Sequence, residues 1–238
     1  MTLQWQAAWV AVTTHPLFSV GVTLLAYQLG MTIYERARKV YLQPFLISVV
    51  TVISVLLACG VPYELYRTNT TLLTLLLGPA TVALAVPLFL NLERIRQLFG
   101  PIMLTLLVAG TVTTLLGVVL GWLFGISEQL LMTLTPKSAT SPIAMLVAEE
   151  IGGIAALAAV FVLLTGVLGA ILGPVLLTRF GVQHPAARGM ALGLTAHAVG
   201  TAQALQEGEE CGAFSALAMS LMGVATAVLL PLVVTLLR

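Results

Sequence analysis

From Pro101 to Phe124 the chain carries no charged side chain, and the same holds over 16–34, 44–60, 71–90, 154–177 and 213–237. Crossing the hydrocarbon of a bilayer takes about 20 apolar residues. Inside lipid no water is present to bond the backbone, so each run must satisfy its own N–H and C=O groups, which a helix does. The fold class that follows is all-α: a polytopic membrane helix bundle, read as one integral membrane domain over 1–238. Composition agrees, with 59% hydrophobic and 8% charged residues where soluble domains carry about a quarter charged.

The same composition removes several functions. A net charge of +1 gives no basis for binding nucleic acid. Cys59 and Cys211 stand far apart without C-x-x-C spacing and read as small apolar fillers. No metal ligand set and no haem, flavin or iron–sulfur motif is present, so no cofactor is expected. Neither G-x-S-x-G, H-E-x-x-H nor a P-loop occurs, and an enzyme is not expected. Met1 to His15 lacks a basic n-region, so no cleavable leader is expected there.

Two stretches depart from the apolar pattern, 128–150 and 189–210. Each polar group buried in hydrocarbon costs several kcal/mol, roughly, if unpaired, so their concentration marks a site and not a lipid-facing span. Positive charge gives the topology. The cluster Glu35-Arg36-Ala37-Arg38-Lys39 and the Arg94/Arg96 loop are two spans apart and share the cytoplasmic side. Arg179 and Arg188 join them if 133–150 enters and leaves by the outer face, as a re-entrant hairpin. The 189–210 stretch then starts from the cytoplasm and either returns there or crosses as a broken helix. Glycines four apart, Gly117/Gly121/Gly125, Gly169/Gly173 and Gly189/Gly193, let helices approach closely; they serve packing within the chain or a seam in a homo-oligomer.

The first stretch contains Thr135-Pro136-Lys137-Ser138-Ala139-Thr140-Ser141-Pro142. Pro142 suits the first turn of a helix, with Thr140 or Ser141 as its cap. Free N–H groups and the positive dipole end then face the loop, and Lys137 adds a full charge. Such a pocket suits a carboxylate or phosphate; the alternative is a surface loop in which Lys137 sets topology. In the second stretch His197 is either a packed structural residue or a ligand and proton carrier. Gly200 permits an unwound backbone and Thr201 adds a hydroxyl. Glu207, Glu209 and Glu210 read as a solvated end, with Glu207 and Glu210 as secondary candidates for proton coupling. Gly78-Pro79 within 71–90 is a packing kink or a third broken helix. Interrupted spans of this kind are the sequence pointer to a secondary-transporter site near the midplane.

These residues also carry a family resemblance. The strings L-L-G-P-A-T-V-A-L-A-V-P-L (76–88), T-P-K-S-A-T-S-P-I-A-M (135–145), I-G-G-I-A-A-L (151–157), T-A-H-A-V-G-T-A-Q-A-L (195–205) and E-G-E-E-C-G-A-F-S-A-L-A-M (207–219) resemble the LrgB/CidB family of bacterial membrane proteins. Gln203 departs from the pattern, in which a basic residue commonly follows G-T-A. The resemblance implies an inverted-repeat transporter architecture in the bacterial inner membrane. It also implies transport of small monocarboxylates such as pyruvate, glycolate, lactate or glycerate, often with a small LrgA/CidA-type membrane partner. The family's other description, antiholin-like control of murein hydrolases, implies a regulatory membrane protein instead. Under the transport reading Thr135, Lys137, Ser138, Thr140, Ser141, His197, Gly200 and Thr201 bind the substrate. Gly78, Pro79 and Pro142 then supply broken-helix backbone, and His197, Glu207 or Glu210 couples a proton.

Overall fold

The computed structural model describes residues 2–37, 42, 44–83 and 85–237, and every regular element among them is helical. Arg38 and Lys39 of the basic cluster lie outside the described residues. Contacts group the chain into two compact units, Met1–Ala83 and Leu84–Arg238.

The first unit holds α1 (Thr2–Thr14), α2 (Pro16–Ala37), α3 (Pro44–Cys59), α4 (Tyr63–Asn69) and α5 (Thr71–Ala83). Proline opens α2 and α3, where a missing N–H costs no hydrogen bond. These two helices pack closely, with Gly30 against the Pro44 backbone and the Ser48 hydroxyl donating to the Ala26 carbonyl at 3.3 Å. The Thr23 and Tyr66 hydroxyls meet at 2.8 Å and tie α2 to α4.

The 44–60 run forms a piece shorter than a full span, and 71–90 is helical on both sides of Leu84, which lies outside the described residues. α3 has 16 residues, about 24 Å of helix against a core of about 30 Å, and it qualifies as a span only together with α4, at a bend of 118°. α5 continues through Gly78 and Pro79 to Ala83, so the backbone stays helical where Gly-Pro suggests a break. A proline deprives one carbonyl of its partner but need not end a helix in a membrane protein. In the second unit the first described helix is α6 (Ala85–Leu90).

There α7 (Leu92–Gln97), α8 (Phe99–Leu123), α9 (Glu128–Leu134), α10 (Ser141–Glu150), α11 (Ala155–Arg179), α12 (Pro185–Glu207) and α13 (Glu209–Leu237) follow. α8, α11 and α13, like α2, are long and apolar enough to cross a membrane. α8 and α11 are both 25 residues long, and they stop alike, at Phe124-Gly125-Ile126 and Phe180-Gly181-Val182. Gly125 (φ 69°) and Gly181 (φ 72°) take the left-handed conformation that L side chains avoid. The next residue's N–H then closes back onto the helix, Ile126 to the Gly121 carbonyl and Val182 to the Leu177 carbonyl, at 3.0 and 2.8 Å.

A polar hairpin follows each of these two helices. After α8 the chain runs through α9 and α10 and comes back to α9, where the Ile154 N–H donates to Thr133 Oγ1 at 2.9 Å and Gly153 lies against the Thr133 backbone. After α11 comes α12, which is not one rod: His197 sits at φ 41°, ψ −126°. Arg188 and Glu207 are 19 residues apart, which in a straight helix is about 28 Å. Their side chains instead form a salt bridge of 2.6 Å. The chain therefore reverses at His197, and its two halves lie side by side, with Gly200 against the Leu192 carbonyl and Leu192, Ala204 and Cys211 in one apolar cluster.

Each hairpin returns the chain to the end at which it entered, so α8, α11 and α13 alternate in direction. The segment from α8 to α10 and the segment from α11 to α12 are two span-plus-hairpin units of opposite orientation. Arg94 before α8, His184 before α12 and Glu210 at the start of α13 meet at one end, with Arg94 Nε 2.8 Å from Glu210 Oε1 and Arg94 Nη2 3.4 Å from His184 Nε2. Arg94, Arg96, Arg179 and Arg188 gather at this end, and α13 runs from it to the opposite one.

Candidate functional site

The first hairpin turns at 135–140. Thr135 is buried and its hydroxyl donates to the Leu131 carbonyl at 2.6 Å. Two tight backbone bonds, Lys137 N–H to Leu134 and Ala139 N–H to Pro136, shape the loop. Thr140 is the cap residue of α10 and Pro142 sits in its first turn, but no side chain satisfies the helix's leading N–H groups. Lys137 reaches sideways to α8, where its ammonium donates to the Thr113 carbonyl at 3.0 Å. No carboxylate neutralises it: among the described residues the ion pairs are Arg94–Glu210 and Arg188–Glu207. Ser138 is only 2% exposed, and its hydroxyl has no hydrogen-bond partner. Loop, cation, uncapped helix end and free hydroxyl together make an electropositive cradle of donors, which suits an anion.

The second hairpin turns at His197. A positive φ is uncommon for a residue with a Cβ, though histidine is among those that tolerate it; holding it costs about 1–3 kcal/mol. Contacts around the turn supply the restraint. The imidazole Nε2 donates to the Val162 carbonyl of α11 at 3.0 Å, and the Thr201 hydroxyl donates to the His197 carbonyl at 2.9 Å. Because a carbonyl only accepts, Nε2 carries a proton, and Nδ1 is left as the atom at which the ring gains or loses one. The Thr201 and Ser215 hydroxyls lie 3.0 Å apart, both fully enclosed.

Both turns converge on one segment of α13. Thr201 lies against Ser215 and, at 3.9 Å, the Met219 sulfur. A Cβ added at Gly223 would lie 3.0 Å from Ile143 of α10. Met219 and Gly223 are one turn apart, about 6 Å along the helix. The lateral contacts, at Thr113 of α8 and Val162 of α11, lie well inside these two spanning helices and place both turns at mid-depth.

The sequence-derived residues thus fall into three places. Thr135, Lys137, Ser138, Thr140 and Ser141 form the first turn, with Pro142 opening α10. His197, Gly200 and Thr201 form the second. Among the described residues no hydrogen bond joins the two groups. Glu207 and Glu210 belong to neither turn. Glu207 lies ten residues beyond His197, about 15 Å along its half-helix, and bonds Arg188. That bond raises the guanidinium pKa further, so Arg188 stays charged. Glu210 faces Arg94 at the same end, an attraction of charges without hydrogen-bond alignment. Gly78 and Pro79 lie in α5, in the other unit. Thr113, Val162, Ser215 and Met219 are partners that sequence reasoning misses. Thr113 and Val162 are ordinary members of apolar helices, whereas Ser215 and Met219 stand in the distinctive string E-G-E-E-C-G-A-F-S-A-L-A-M (207–219).

Comparison with known proteins adds a family. A family model described as LrgB-like family matches residues 23–236. The chain is 35% identical over 210 residues to "Uncharacterized protein YwbG" of Bacillus subtilis (strain 168), covering 88% of this chain and 93% of that one. It is 34% identical over 215 residues to "Holin-like protein CidB" of Staphylococcus epidermidis (strain ATCC 12228), covering 90% and 94%. It is 30% identical over 224 residues to "Antiholin-like protein LrgB" of Bacillus cereus (strain B4264), covering 94% and 97%. No solved structure matches.

Proposed function

Since the chain belongs to the LrgB-like family and is a multi-pass bacterial membrane protein, we propose that it is a secondary carrier of small monocarboxylates of the pyruvate, glycolate, lactate or glycerate type. The observation that carries this reading is the pair of oppositely oriented hairpins whose polar turns reach mid-depth beside one segment of α13. A lipid-facing helix gains nothing from such groups, whereas a carrier needs them where its substrate pauses. In this reading Lys137, the Ser138 hydroxyl and the leading N–H groups of α10 take the carboxylate. His197, Gly200 and Thr201 close the site from the other hairpin, and His197 carries the coupled proton. No bond of the substrate is made or broken, so the protein is a carrier and not an enzyme. Its place is the bacterial inner membrane, as a homo-oligomer or beside a small LrgA/CidA-type partner.

The test is uptake of labelled pyruvate or glycolate by proteoliposomes, with and without a pH gradient. Saturable uptake that falls at least tenfold in Lys137→Ala and His197→Ala is the expected result. No uptake, alone or with the partner, removes the carrier reading; equal uptake by both variants removes the site.

A second reading is favoured by the relatives' names, holin-like and antiholin-like: a regulator of membrane lesions acting through membrane-protein partners. It predicts release of large dyes from vesicles, without saturation and without dependence on Lys137.

A further inference from the structure

The two ionisable side chains at the turns are seated in the same way. Lys137 Nζ donates to the Thr113 carbonyl, and His197 Nε2 to the Val162 carbonyl. Four residues after each of these carbonyls stands a glycine, Gly117 and Gly166. In an α-helix the C=O of residue i points toward residue i+4 and bonds its N–H, and the side chain of that residue leans back over the bond. With glycine there, nothing covers the oxygen, whose second lone pair can accept from the side. The space is filled in both cases. A Cβ at Gly117 would lie 2.5 Å from Lys137 Nζ and 3.3 Å from Cε, and one at Gly166 would lie 2.6 Å from His197 Cε1 and 3.1 Å from Nε2.

The other glycines of these rows do different work. Gly121 meets Leu131, Gly169 meets Ala196 and Gly173 meets Leu192, all apolar, while Gly125 terminates its helix. Gly189 and Gly193 admit the α13 backbone. Gly117 and Gly166 alone in these two spans receive a polar side chain from a hairpin.

We infer that Gly117 and Gly166 are positioning residues of the anion site: each bares one backbone carbonyl in a spanning helix and so holds Lys137 or His197 at the depth where the substrate is bound. The ammonium spends one of its three donors on Thr113 and keeps the others for an anion. The imidazole spends Nε2 on Val162 and keeps Nδ1 for a proton. This inference rests on the carrier reading for its role in transport; the seating of the side chains is a separate claim and is tested separately.

The variant is Gly117→Ala, with Gly110→Ala as control, because Gly110 lies in the same helix and faces the flexible Met222 side chain instead. The methyl group must push the ammonium away by on the order of 1 Å, a displacement that elsewhere costs about a hundredfold in rate at a reacting centre. Purified protein is treated with a membrane-permeant amine-acetylating reagent, and Lys137 modification is followed by mass spectrometry. A several-fold faster modification in Gly117→Ala and an unchanged rate in Gly110→Ala are expected. In vesicles Gly117→Ala should raise the apparent KM for pyruvate about tenfold and add nothing when Lys137 is already Ala. The same design applies to Gly166→Ala, with pyrocarbonate labelling of His197 as the readout.

If wild-type vesicles take up nothing, the carrier reading fails while the labelling still decides the seating. If uptake is normal but Gly117→Ala matches Gly110→Ala in labelling and KM, the inference fails alone. If Gly117→Ala does not fold, the Gly117→Ala/Lys137→Ala double variant decides: recovery of folded protein supports the seating, and continued failure overturns it.

Discussion

Ser138→Ala should make the protein more stable and less able to bind its substrate, two effects of opposite sign from one oxygen atom. Ser138 is 2% exposed and its hydroxyl lacks a partner. Leaving such a group unsatisfied costs about 1–3 kcal/mol. Removing it loses a little packing, so a net gain of about 1 kcal/mol remains, or about 2–4 °C in Tm for a chain of this size. A hydrogen bond from this hydroxyl to a carboxylate is worth about 1.5–3 kcal/mol, about tenfold to a hundredfold in affinity. The assay is thermal unfolding in detergent, with and without a saturating monocarboxylate, beside uptake in vesicles. Wild type should gain Tm on adding substrate, and Ser138→Ala should start higher and gain much less. A variant that melts below wild type, or keeps full substrate stabilisation, refutes the reasoning that this hydroxyl is held in readiness for a ligand.

Gly193→Ala places a methyl group on the Ser215 carbonyl and against Ala218; overpacking of this kind costs about 1–3 kcal/mol, read as a lower melting temperature, whereas Gly21→Ala, which meets nothing within 4 Å, should melt as wild type. Arg188→Gln opens the base of the second hairpin, since both partners of that pair are mostly screened from water, at 14% and 19% exposure; amide exchange over 198–207 should speed up severalfold, and unchanged protection would falsify the latch. A cysteine at Gln206, in a background without Cys59 and Cys211, should label from the cytoplasmic side, while a tag after α13 should be reached only from outside; the reverse pattern refutes the hairpin at His197.

The two polar hairpins are legible in the sequence because polar groups are costly in lipid, so stretches 128–150 and 189–210 stand out without any fold in hand. Pro142 and the Thr140/Ser141 pair likewise announce the start of α10. The reversal inside 189–210 is not legible. It rests on a histidine in a conformation normally left to glycine, and the local pattern favours continuous helix as much as a turn. Its restraints, the Val162 carbonyl and the Ser215 hydroxyl, come from elements far along the chain. The glycine rows do mark close packing within the chain, but an absent side chain shows only that space is needed and not what occupies it. At 71–90 the Gly-Pro pair reads as a kink or a break, and α5 runs through it as helix, because a missing backbone donor is a local cost that the rest of a helix can absorb.

The second hairpin packs more extensively on α13, which is synthesised after it, than on α11, which precedes it. Gly189 and Gly193 pack on the backbone around Cys211 and Ser215, and Thr201 meets Ser215 and Met219. Neither half of α12 has the length to be laid across a membrane by itself. During biogenesis residues 185–207 therefore lack the larger part of their packing until α13 has left the ribosome. A chain stopped after Gly208 should leave 185–207 open to protease from the cytoplasm, and completing α13 should close it. The last helix made is thus the scaffold on which the second hairpin is completed.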